Sequence, residues 1–275
     1  MKRMSEEESI AFFYQYKWPN GFRCPKCGHG NCYTIQTRRL PLYECVSCKH
    51  QTSLTAGTVM ERSRTPLWKW AVAMQMMASP AGMNAVQLSG AIGVSHKTAW
   101  NMMRKIRHVI SIDEDRRTLA GKVRIGPAHY GRMFLQTYVP HPQVHPVLIG
   151  LSTGSDGRYV KIQTVDRRHT EGRFIDRTGT DEFIRRNVHS AGIATVLNRV
   201  QYSRDYVLRD LFDSAKRWIN RTFHGIGIKT LQTYLNEYCF RWNRLSNGAT
   251  AHEALLRLCM YMDTESVRHL VRKAA

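Results

Sequence analysis

The sequence predicts a multidomain α+β protein, and three observations carry that prediction. Two Cys-x-x-Cys pairs lie near the N-terminus, residues 66–110 follow a helical period, and residues 122–197 read as strands interrupted by a helix. At 275 residues the chain has room for more than one unit. The division read from the sequence is 1–60 for a zinc ribbon with an N-terminal helix, 61–115 for a helix-turn-helix segment and 116–275 for an α/β domain.

The first element is the run CPKCGHGNCYTIQTRRLPLYECVSC, residues 24–48. Cys24 and Cys27 form one knuckle, Cys45 and Cys48 the other, with seventeen residues between them. Each knuckle sets two thiolates on a tight turn, and two knuckles complete the tetrahedron of a structural zinc site. Pro25 and Gly28 suit the first turn, and the intervening residues alternate as short strands. Cys32, His29 and His50 are surplus, because a closed site needs four ligands. Cys239 and Cys259 sit among apolar neighbours and read as buried thiols, not as half-cystines.

In TPLWKWAVAMQMMA, Thr65 is a candidate cap with Pro66 at the first helical position. Leu67, Trp70, Ala71, Met74, Met77 and Ala78 make one apolar stripe. Next, Asn84 caps a short helix, Gly93 breaks it, and Ser95 caps a second helix that turns Ala99, Met102, Met103, Ile106 and Ile110 inward. Short helix, glycine turn and capped helix make the helix-turn-helix pattern. The second helix offers Ser95, His96, Lys97, Thr98, Asn101, Arg104 and Lys105 to phosphates or base edges.

Beyond a polar connection at 113–121, strands are expected over 122–125, 133–139, 145–152 and 159–165, then a helix over 180–188 and a strand over 193–197. From Tyr206 the chain reads helical, with Leu231, Tyr234, Leu235, Tyr238 and Trp242 on one face. The sequence contains neither a phosphate-binding glycine loop nor a P-loop, so no nucleotide cofactor is indicated. His141 and His145 lack a third partner at metal spacing.

Charge points to the partner. Forty-one Lys and Arg against 21 Asp and Glu leave a net +20, which suits a polyanion and makes duplex DNA the expected partner. The chain has no apolar run long enough for a membrane span, and MKRMSEEESIAFFYQY lacks the apolar core of a signal peptide, so the cytoplasm is the expected compartment.

The stretches FRCPKCG, YECVSCKHQTSLTAGTVMERSRTPL, IGVSHKTAWNMMRKIR and AKRWINRTFHGIGIKTLQTYLNEYCFRWNR, and more loosely residues 119–131, resemble bacterial insertion-sequence transposases. Those proteins join an N-terminal zinc ribbon and a helix-turn-helix to a ribonuclease-H-like domain of the DDE type. The resemblance implies three metal-binding positions that hold two divalent ions, magnesium or manganese, for strand transfer. Carried onto this sequence, they hold Gly126 on the opening strand, Asn198 after a later strand and Ser214 on a helix ahead of Lys216. Arg124 adds positive charge beside the first, and Pro127 lacks a backbone donor, which suits an edge strand.

The resemblance therefore implies a transposase-family DNA-binding protein with no carboxylates for strand transfer. A working site rebuilt from Asp166, Asp176, Asp181, Asp205, Asp210 or Asp213 is one alternative, and a zinc-ribbon adaptor for a protein partner is another. A homo-oligomer is compatible with either DNA-binding form.

Overall fold

The computed structural model describes residues 4–131, 143–154, 157–172 and 174–261. The strand expected over 133–139 and His141 lie outside them. The architecture is multidomain α+β. The chain packs as two compact units, one holding residues up to Ser79, Met83–Val109 and the helix from His252, the other holding Pro80–Gly82 and Ile110–Ala251.

The first unit opens with α1 (Glu6–Lys17), held by a capping box in which Glu8 N donates to Ser5 Oγ and Ser5 N to Glu8 Oε2. Strands β1 (Cys32–Ile35), β2 (Leu42–Cys45) and β3 (Gln51–Ser53) form a small antiparallel sheet. So small a sheet buries little by itself. A cluster of Trp18, Phe22 and Tyr43, with ring centroids 5.0–6.2 Å apart, joins it to the end of α1.

Helix α2 (Leu67–Ala78) buries Leu67, Trp70, Ala71, Met74, Met77 and Ala78, the stripe read from the sequence. Its boundary differs by one residue. Pro66 is extended (ψ 144°) and takes the cap position without a side-chain bond, so Thr65 does not cap. Helix α3 (Ala85–Ile92) carries the expected Asn84 cap, as a capping box with Gln87, and ends at Gly93 in the left-handed region (φ 60°). Helix α4 (His96–Arg116) follows, with Thr98 N donating to Ser95 Oγ at 3.2 Å.

In the second unit, β4 (Lys122–Tyr130), β5 (His145–Gly154) and β6 (Gly157–Thr164) form an antiparallel meander. Past a hairpin of β7 (Thr170–Glu171) and β8 (Phe174–Ile175) come α5 (Arg177–Asn187) and β9 (Ile193–Val196), which pairs parallel to β4. The sheet order is β6-β5-β4-β9. Three helices complete the unit: α6 (Arg199–Arg204), α7 (Tyr206–Phe223) and α8 (Ile228–Ser246). Phe183 of α5 packs with Val123, Ile125 and Leu148 on one sheet face. Leu208, Phe212, Ala215 and Ile219 of α7 and Leu231, Leu235 and Tyr238 of α8 cover the other, where Ala128, Val147, Ile149 and Ile162 face them. With both faces covered, β5 is a nearly continuous apolar run.

Two expectations need correcting. Pro127 does not mark an edge strand, since β4 lies between β5 and β9. Leu197 N donates to Ile125 O at 2.8 Å, so two residues on, Pro127 faces the same side just beyond the end of β9, where no ladder donor is required. The last described helix, α9 (Ala251–Met260), belongs from His252 with the first unit, not with the sheet. Val59 N donates to Cys259 O at 3.1 Å, and Leu255, Leu256 and Cys259 are fully buried.

Candidate functional site

The two cysteine knuckles fold alike. Gly28 N donates to Cys24 O and Lys49 N to Cys45 O, while Cys24 N and Cys45 N donate to His29 O and His50 O. The residue after each second cysteine, Gly28 or Lys49, takes a positive φ, so each hairpin turns both thiols inward. Cys24 and Cys48 Sγ lie 3.6 Å apart, as do Cys27 and Cys45 Sγ, and all four sulfurs fall within 4.8 Å of one another. A tetrahedron with ligands at about 2.3 Å has edges of about 3.8 Å, so the four thiolates fit a zinc ion and close it off. Among the described residues this is the one group of three or more His, Cys, Asp or Glu side chains placed to share an ion. His29, Cys32 and His50 stand outside it.

Along α4, Ala99, Met102, Met103 and Ile106 are buried, and the opposite face is open. His96 and Lys97 are exposed, Asn101 and Arg104 half-buried. Ser95 and Thr98 share a hydroxyl contact of 2.9 Å in the cap, and Lys69 Nζ donates to Gly93 O at 2.8 Å and pins the turn. Lys105 departs from the expected set. Its ammonium donates to Glu61 O at 3.0 Å, and burial pulls its pKa down despite the nearby Glu61 carboxylate. It sits about 100° beyond Arg104 on the helix, at the margin of the core. The sequence reading also missed Trp100, which is 45% exposed at the flank of the open face.

The strand positions form a different surface. Gly126 is buried in β4, and a Cβ there would meet Cδ2 of Tyr202 at 2.2 Å, so the ring of Tyr202 from α6 already covers it. Two residues away on the same face, Arg124 is ion-paired with Asp205, the cap of α7. Asn198 follows β9 and caps α6 through Gln201 N. Beside these lies a cleft of about 960 Å³, lined among others by Asn198, Tyr202, Arg209, Asp213 and Lys216. Burial pushes the Tyr202 phenol upward, and the Asp213 charge adds to it.

Ser214 does not face this cleft; it shares a hydrogen bond with the Tyr238 hydroxyl of α8. Helical phase explains the correction, because Arg209, Phe212, Asp213 and Lys216 recur at the spacing of one face and Ser214 lies about 100° away. The other acids have local duties. Asp166 caps a single 3-10 turn, Asp176 caps α5, Asp181 pairs with Arg177 at 3.7 Å, and Asp210 pairs with Arg217 at 3.5 Å. At the carried-over positions a ring-covered glycine and a capping amide offer no carboxylate to two divalent cations, and the carboxylates lining the cleft beside them are Asp176, Asp181 and Asp213.

Residues 4–51 match the transposase zinc-ribbon domain family. The N-terminal part of this chain is therefore similar to a transposase zinc ribbon. The chain is also similar to an uncharacterized protein in transposable element ISH50 of Halobacterium salinarum, 29% identical over 123 residues. That alignment covers 44% of this chain and 41% of the relative, so the chain spans less than half of the relative's length. Among the described residues, no helix is long and apolar enough to cross a membrane.

Proposed function

We propose that this transposase-family protein is a DNA-binding protein of the cytoplasm, and that its ribonuclease-H-like unit has lost the metal-dependent strand-transfer site. Duplex DNA is the partner, and structural zinc is the cofactor. Binding rests on the open face of α4, where His96, Lys97, Asn101 and Arg104 project from a capped helix behind a glycine turn. The observation that carries the loss of catalysis is the Tyr202 ring over Gly126. A carboxylate at that position has no room. Magnesium or manganese has a role only if Asp213 and another acid of the cleft form a relocated site.

The binding half is tested by the salt dependence of duplex affinity. Each phosphate contact removed should flatten the slope of log affinity against log salt by about 0.9. Arg104→Ala and Lys97→Ala should each do so. Lys105→Ala should leave the slope unchanged, because that ammonium is held by the Glu61 carbonyl. A wild-type affinity indifferent to salt contradicts the reading. A slope flattened only by Lys105→Ala reassigns the contacting face.

A further inference from the structure

We propose that Trp100 is a base-reading residue, and that it recognises the C5 methyl of thymine in the major groove. The inference rests on the DNA-binding reading of α4 and adds what the helix reads. Trp100 is not a core side chain that has slipped outward, because the core stripe beside it, Ala99, Met102 and Met103, is already buried. It lies at the flank of the open face one turn before Arg104, whose guanidinium sits over its ring at 5.5 Å from the centroid. That contact steadies the indole while 45% of the residue stays open to solvent.

From His96 to Lys105 there is no acidic side chain, so the face suits a polyanion and disfavours an acidic-to-basic protein pairing. His96, Lys97, Asn101 and Arg104 offer polar or charged groups to DNA. Trp100 chiefly offers an apolar plane. In the major groove, the apolar feature that distinguishes one base from the others is the thymine methyl. Placed in the first half of α4, Trp100 is where a recognition helix reaches base edges.

The test uses the zinc-loaded full chain and duplexes enriched by it from a randomised pool. Each thymine is replaced in turn by deoxyuridine, which deletes the methyl and keeps the pairing groups. At about one or two neighbouring positions, wild-type affinity should fall roughly three- to tenfold. Trp100→Ala should bind thymine and uracil duplexes equally at those positions and keep its salt slope. Trp100→Phe should retain part of the discrimination. The wild-type series needs no substitution in the protein, so it stands whatever the stability of the variants. Equal wild-type affinity for every uracil duplex overturns the proposal, as does undiminished thymine preference in Trp100→Ala. Failure of the wild type to bind any duplex overturns the DNA-binding reading as well.

Discussion

Replacing Cys45 with serine should remove the bound zinc and unfold the ribbon while leaving the sheet of the second unit protected. Cys45 is fully buried and faces Cys27 Sγ at 3.6 Å. The strands it anchors are only three or four residues long. So small a sheet cannot reach stability on apolar burial alone, and the aromatic cluster around Trp18 and Tyr43 is assembled on the same knuckles. Structural zinc in such sites contributes apparent binding free energy of about 10–16 kcal/mol near neutral pH, which exceeds what the ribbon can supply by packing. Elemental analysis should give one zinc per wild-type chain and none for the variant. Hydrogen exchange should accelerate over residues 20–54 and stay slow in β4–β6. Zinc-free native protein with unchanged exchange contradicts the assignment.

Gly126→Asp should destabilise the second unit by about 3 kcal/mol or more, because its first side-chain carbon would lie 2.2 Å from the Tyr202 ring. Its carboxylate would also enter a buried position, a further cost. For a chain of this length, 3 kcal/mol lowers the unfolding midpoint by about 6–12 °C. Tyr202→Gly combined with Gly126→Asp should recover part of the loss, since the two residues share one volume, with a coupling of about 1 kcal/mol or more. Thermal unfolding of the two single variants and the double measures this. If Gly126→Asp melts with the wild type, the ring does not rest on that glycine.

Local chemistry was the legible part. The cysteine spacing pointed to the four thiols that the fold brings together, and Asn84, Gly93 and Ser95 gave the two helices of the turn, because caps and knuckles act within a few residues. The apolar stripe of α2 was legible for the same reason, while in α8 period alone found Leu231, Leu235 and Tyr238 but not the burial of Asn236, Glu237, Phe240, Arg241 and Asn243. What stayed hidden depends on distant partners. Lys105 is held by a carbonyl 44 residues away, and Tyr202 covers a glycine on a strand far back in the chain. Ser214 and Asp213 show a second limit. A motif carried over by likeness can be one residue out of phase, and on a helix that residue turns a side chain about 100°. The positive charge that Arg124 adds beside Gly126 is taken up in an ion pair with the cap of α7, 81 residues on, which no local pattern announces.

On the proposed reading, the protein binds DNA without cutting it. Incubation of the zinc-loaded protein with supercoiled plasmid, in magnesium and separately in manganese, tests it most directly. The salt should be low enough that binding is verified in the same tube. The plasmid should stay supercoiled while bound, at the level of protein-free controls. Metal-dependent nicking that Asp213→Ala abolishes would contradict it and place a working site in the cleft beside Tyr202.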